Sequence, residues 1–186
     1  MSASENWIEL NPHPATHLEI PDAIRARVVH RSATKLLIAY RLEGDIARII
    51  VPPPSAPIIG PELWRHTCLE AFLRIEGARE YHEFNFAPSK QWTVYAFSGY
   101  RSGSPLTDET MNPQIAVRTT ASHMELEAEV QLDRLSPLHP HAALRLGLAG
   151  VIETTDGISY WAMRHPAYKP DFHNPDSFAL RLEPQP

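Results

Sequence analysis

Met124-Glu125-Leu126-Glu127-Ala128-Glu129-Val130-Gln131-Leu132 decides the fold. Apolar residues at every second position alternate with three glutamates and a glutamine, as on a strand with one buried and one wet face. On a helix the same glutamates would spread round the cylinder and break the apolar stripe. Working outward, Leu36, Ile38, Tyr40 and Leu42 repeat the pattern, as do Leu69, Ala71, Leu73 and Ile75, and then Leu144, Leu146, Leu148 and Gly150. Further strands are predicted at Ile24 to His30, Ala47 to Val51, Tyr81 to Phe86, Trp92 to Ser98, Ile115 to Thr119, Ser159 to Met163 and Phe178 to Leu182. A short helical turn is expected at Asp133 to Ser136.

Ten to twelve short strands broken by Pro, Asn, Asp, Ser and Gly, with no long amphipathic helix, exclude a parallel βαβ sheet. The expected fold is all-β: an antiparallel two-sheet β-sandwich, jelly-roll-like, in a single domain spanning 1–186. Residues 1–15 and 184–186 are expected to be loosely ordered. Prolines cluster at Pro52, Pro53, Pro54, Pro57 and Pro61 and again at Pro166, Pro170 and Pro175. They mark two stiff connections able either to hold binding residues or simply to block edge pairing.

The 186 residues are 43% hydrophobic and 21% charged, enough for a core without cross-links. A formal charge of −5, with no Lys/Arg cluster, argues against a nucleic-acid binder. Apolar runs fall short of the roughly 20 residues that cross a bilayer, so no membrane partner is expected. One cysteine, Cys68, excludes an intramolecular disulfide. The start lacks a basic, then apolar, secretory leader, so a cytoplasmic location is expected.

Candidate chemistry concentrates in two stretches, Leu63 to Leu73 and Tyr81 to Pro88. If Leu69, Ala71 and Leu73 face the core, Cys68, Glu70 and Phe72 face the other way. In the next strand Tyr81, Glu83 and Asn85 share one face and His82, Phe84 and Phe86 the other. Trp64, Glu70, Glu83, Asn85 and Arg101 can thus form one polar patch among aromatic rings. Sugars suit such a surface, because their C–H faces stack on rings and their hydroxyls bind carboxyl, amide and guanidinium groups. The same residues also fit a structural Glu70–Arg101 ion pair with core aromatics. Glu70 and Glu83 would make an acid–base pair for a glycan-acting enzyme if about 5 to 9 Å apart. Asp171 and His173 suit either an oriented imidazole or a capped turn. There is no Gly-x-Ser-x-Gly elbow or phosphate loop, and Cys68 reads as a packing residue.

The order Trp64-Arg65-His66-Thr67-Cys68-Leu69-Glu70-Ala71-Phe72-Leu73, then Tyr81-His82-Glu83-Phe84-Asn85-Phe86-Ala87-Pro88-Ser89, then Phe97-Ser98-Gly99-Tyr100-Arg101, then His165-Pro166 with Lys169-Pro170-Asp171-Phe172-His173 and Pro175, resembles bacterial DOMON-like proteins, relatives of family 9 carbohydrate-binding modules. Glu70, Phe72, Tyr81, Glu83, Phe84 and Pro88 align with that family's pattern, while its usual Asp is replaced by His66 or Thr67. The resemblance implies a β-sandwich that binds a carbohydrate or a sugar-like small molecule without catalysis or cofactor. Trp64 would be one aromatic clamp, Trp161 or Tyr168 the other, with Glu70 and Arg101 as polar partners. It also admits a non-covalent haem b module with axial ligands drawn from Met163, His165 and His173. Met163 and His165 stand on one side of a strand, so either needs a partner such as Met111, Met124, His82 or His66.

Overall fold

The alternation that identifies the strands reappears as burial. In β9 (His123–Gln131) Met124, Leu126, Ala128 and Val130 are buried, and the residues between them are half-buried. The computed structural model describes residues 6–16, 20–53, 62–106, 109–166 and 168–185. In chain order its strands are β1 (Ile8–Pro12), β2 (Ala23–Ser32), β3 (Lys35–Glu43), β4 (Cys68–Ile75), β5 (Tyr81–Phe86), β6 (Trp92–Gly99), β7 (Ser102–Leu106), β8 (Gln114–Thr119), β9, β10 (Leu144–Thr154), β11 (Gly157–Ala162) and β12 (Leu180–Leu182). Helical structure among the described residues is limited to single 3-10 turns, one of them at Leu132–Arg134.

All strand pairs are antiparallel and form one hydrogen-bonded path, β7-β6-β5-β4-β10-β11-β1-β2-β3-β9-β8, with β12 beside β10. The path folds into two layers at β1. Ile8 to Leu10 pair with β2, whereas Asn11 and Pro12 pair with β11. One apolar core fills the space between layers. It draws Ile24, Ile38 and Leu126 from one side and Leu69, Phe84 and Leu146 from the other. Tyr40 of β3 crosses that core and donates its hydroxyl to the backbone oxygen of Glu70 on β4 at 2.7 Å. The protein is therefore an all-β antiparallel sandwich.

Three local expectations are corrected. The first 15 residues are not uniformly loose, because Ile8–Pro12 is the strand that joins the layers. Its pairing on both sides supplies order that a five-residue segment with two prolines close by cannot signal by itself. Ala47 to Val51 is not a strand but a 3-10 turn at Ile46–Arg48 followed by a single bridge between Ile49 and Thr154. The buried pair Ile46 and Ile49 is spaced by three, the 3-10 repeat, rather than by two. Ser102–Leu106 is a strand that the sequence does not announce, since Gly103 and Pro105 suit only an edge, which is where β7 sits. Of the first proline-rich connection, residues 54–61 lie outside the described residues, as does His17.

The β4–β5–β10–β11 face turned away from the inter-layer core is itself covered. Phe172 and Phe178, from the segment before β12, pack on Phe72, Tyr81, Ala149, Val151 and Ala162. Residues Cys68 to Leu73 are consequently buried on both faces of β4. That second cover turns one end of the strand face into a cavity.

Candidate functional site

The cavity is about 580 Å³, within the range of roughly 300–1,000 Å³ typical of small-molecule sites. Its floor is the outer face of the sheet. Register sets Glu70 opposite Asn85 and Phe72 opposite Glu83, so the two carboxyls are diagonal neighbours on one face. Diagonal positions of this kind lie roughly 7–8 Å apart at Cα, within reach of each other's side chains. Glu83 lies opposite Tyr95 and Tyr81 opposite Phe97, which carries the aromatic wall across β6. Trp64 stands at the mouth on the 3-10 turn Leu63–Arg65, 41% exposed. Tyr160 of β11 and Phe172 close the far side, and Arg101, Pro170 and His173 border the opening.

Glu83 is firmly held. Its Oε1 accepts from Asn85 Nδ2 at 2.7 Å, while Asn85 Oδ1 accepts from the Cys68 thiol at 3.3 Å. The Tyr81 hydroxyl accepts the Arg101 backbone N–H at 3.1 Å and lies 2.9 Å from His173 Nδ1. His173 Nε2 in turn stands 3.5 Å from Glu83 Oε2. Burial holds the His173 pKa down at about 4, so the ring is neutral near pH 7.

Glu70 differs: it is 3% exposed, it faces the cavity, and its carboxyl has no hydrogen-bond partner among the described residues. Burial, and then the neighbouring Glu83, push its pKa well above the usual carboxylate range. Glu83, relieved by Asn85 and Arg101 yet also buried, is raised to about 7. Two carboxyls sharing one buried face oppose each other's ionisation, so the pair holds protons more tightly than either carboxyl would in water. The site thus offers two carboxyls that accept from a ligand and, while protonated, also donate to it.

Arg101 does not pair with either glutamate as its counter-ion. Its Nη2 bonds Asp171 Oδ1 at 2.9 Å, and the Tyr100 hydroxyl donates to Asp171 Oδ2 at 2.7 Å. Asp171 also accepts the backbone N–H of His173 at 3.2 Å, so it caps the turn that presents both Phe172 and His173.

Of the residues singled out from sequence, Trp64, Glu70, Glu83 and Arg101 converge on the cavity, with Asn85 directly behind Glu83. Trp161 and Tyr168 are not brought there. Trp161 is 4% exposed, packs in the inter-layer core and donates to Ser159 Oγ at 2.9 Å. Tyr168 is 101% exposed and is not part of the cavity lining. The wall position belongs to Tyr160, one residue from Trp161 and therefore on the opposite face of β11. Tyr95, Phe97 and Tyr160 were legible by extending the Glu83 parity across neighbouring strands. Phe172 reaches the site from a loop, for which no periodicity exists.

The three haem-ligand candidates are not brought together. Met163 packs against the inter-layer core, His165 bonds the Asn11 carbonyl at 2.8 Å, and His173 belongs to the cavity. Met111 and Met124 are core residues. His66 faces Glu153 at 2.8 Å, and the Thr67 hydroxyl donates to the Ile50 carbonyl at 2.6 Å and accepts from Glu153 N at 3.1 Å, so both residues tie strand ends together.

No family model matches the sequence, and no curated protein matches it. Solved structures do match in shape. A protein of Bacteroides uniformis described as a candidate carbohydrate-binding protein superposes with a TM-score of 0.66 at 14% identity, over 91% of this chain and 83% of that one. A family 9 carbohydrate-binding module from Caldicellulosiruptor kristjanssonii in complex with cellotriose gives 0.53 at 8% identity, over 93% and 76%. The module from the same organism in complex with glucose gives 0.55 at 9%, over 96% and 84%. The chain shares the sandwich fold of these carbohydrate-binding proteins.

Proposed function

We propose that this chain is a small-ligand-binding module of DOMON-like type, and that its cavity takes a mono- or disaccharide or a similarly hydroxylated metabolite. The observation that carries the reading is Glu70: a buried carboxyl without a protein partner, aimed into a cavity walled by Trp64, Tyr95, Phe97, Tyr160 and Phe172. A ligand hydroxyl entering the cavity would give this carboxyl a fixed hydrogen-bond partner in place of solvent. Rings on two sides suit the C–H faces of a pyranose. The fold shared with proteins crystallised with glucose and cellotriose is consistent with this use. Trp64, Glu70, Glu83 and Arg101 are assigned direct contact, Asn85 positions Glu83, and Tyr160 serves where Trp161 or Tyr168 was expected. The protonated Cys68 thiol, needed as donor to Asn85, suits a reducing compartment, and we place the module in the cytoplasm.

The test is a thermal-shift screen of mono- and disaccharides followed by calorimetry on hits. Trp64→Ala and Glu70→Ala are each expected to weaken binding by about tenfold or more. Sugar binding that survives both substitutions unchanged would remove the cavity from the reading.

A further inference from the structure

The charges around the cavity do not balance locally. Two cations border it, and both are already engaged. Arg65 pairs with Glu62 at 2.8 Å and lies over the Trp64 ring, 5.1 Å from its centroid. Arg101 pairs with Asp171 at 2.9 Å and lies over Tyr100. Arg101 is near enough to pull both glutamates toward ionisation, but burial outweighs it. The remaining titratable groups packed about the pair add no positive charge. On β4, Cys68 is a buried thiol; on β5, Tyr81 is a neutral hydroxyl; from the covering loop, His173 is a neutral imidazole. Tyr95 on β6 and Tyr160 on β11 are phenols, and Tyr40 meets Glu70 only at its backbone oxygen. The two carboxyls therefore lack a counter-ion of their own, while the rings that wall the cavity turn electron-rich faces that attract cations.

We propose that the ligand carries a primary ammonium group seated between the Glu70 and Glu83 carboxyls, as an amino sugar would; the sugar part of that ligand rests on the function proposed above. The geometry discriminates between an amine and a hydroxyl. A hydroxyl brings one donor and no charge, so it bonds Glu70 without compensating the charge of an ionised pair. An ammonium brings three donors and a full charge, enough for two carboxylates at once, with aromatic faces around its methine. Seating its positive charge favours the ionised form of both carboxyls, so protons held by the pair pass to solvent. Binding should thus release protons near pH 7, and affinity should rise as pH increases through the titration of the pair while the amine stays protonated.

The experiment is calorimetry of the full chain at about pH 7 with four probes: glucosamine, glucose, N-acetylglucosamine and cyclohexylamine. Two buffers of different ionisation enthalpy report the proton released. Glucosamine binding about tenfold or more tighter than both glucose and N-acetylglucosamine, with proton release, is the expected result. Equal affinity for the three sugars overturns the ammonium site and leaves the sugar reading standing. Binding of cyclohexylamine without binding of any sugar supports the ammonium site and overturns the sugar reading. Binding of none of the four overturns both. Glu70→Gln with Glu83→Gln should abolish the preference for glucosamine over glucose, and far-ultraviolet circular dichroism checks that this variant is folded. A folded double variant that keeps the preference also overturns the proposal.

Discussion

Replacing both buried carboxyls by amides, Glu70→Gln with Glu83→Gln, should make the ligand-free protein increasingly more stable than the native chain as pH rises. The sign follows from the direction of the shifts. Both glutamates have folded-state pKa values above their unfolded value of 4.5. The stability contributed by their protons is therefore complete below about 4.5 and is lost as pH rises through the folded values. For Glu83, raised to about 7, the difference from 4.5 is worth about 3 kcal/mol at about 1.4 kcal/mol per unit. Glu70, raised further by its neighbour, adds to this at the alkaline end. His173 and His139 act oppositely. Their pKa values are held down at about 4, so each destabilises the fold as pH falls from 6.5. Both proteins contain these histidines, so His139 cancels in the difference and the carboxyls remain, together with His173 beside Glu83. Urea unfolding followed by tryptophan fluorescence, at about pH 4.5 and about pH 8.5, measures it. The variant's advantage should grow by about 3 kcal/mol or more across that interval. A difference constant to within about 1 kcal/mol would mean that the carboxyls are solvated like surface groups, and the account of the cavity floor would fail.

Three other outcomes follow from single contacts. Tyr40→Phe removes the 2.7 Å hydroxyl bond to the Glu70 carbonyl and should cost about 1 kcal/mol in urea unfolding, with the fold retained. Asn85→Leu removes a hydrogen bond that favours ionised Glu83, so the carboxyl titration of Glu83, followed by carbon-detected NMR, should move above about 7. Gly103→Ala would place a Cβ 2.4 Å from the Ala96 backbone oxygen and 2.5 Å from Phe97 Cδ1. It should destabilise the fold by about 1–3 kcal/mol and, by shifting Phe97 in the cavity wall, weaken ligand binding measured by calorimetry.

The two-layer fold was legible because β2, β3, β4, β9 and β10 each carry the period-two signature on a half-buried or inward face. The same periodicity placed Glu70 on one face of its strand and Glu83 with Asn85 on one face of the next, and the register brings those faces together. It failed where burial does not alternate. Ile46–Arg48 answers to a three-residue spacing, and β7 is an edge with exposed Ser and Gly that needs no apolar pattern. The choice of Trp161 failed for a different reason. The family resemblance offered it as a clamp, but strand parity decides which face a side chain serves, and Ser159 and Trp161 face inward while Tyr160 faces the cavity.

What the pattern could not disclose is the second cover on the outer face. Phe172 and Phe178 come from a loop, and their packing on Phe72 and Tyr81 depends on tertiary placement alone. This cover is also what gives Glu70 and Glu83 their character. An open sheet face would leave both carboxyls in water, with ordinary acidity and little attraction for a ligand. By shielding them while leaving one side open, the loop exchanges fold stability for a site that is incomplete until a donor arrives. Asp171 links the two properties, since it bonds Arg101 and caps the turn bearing Phe172 and His173. Asp171→Ala should therefore loosen the cover and let water reach the pair. Its effect is expected as a fall of the Glu83 pKa toward 4.5 together with weaker binding. An unchanged Glu83 titration in that variant would show that the sheet, and not the loop, sets the environment of the site.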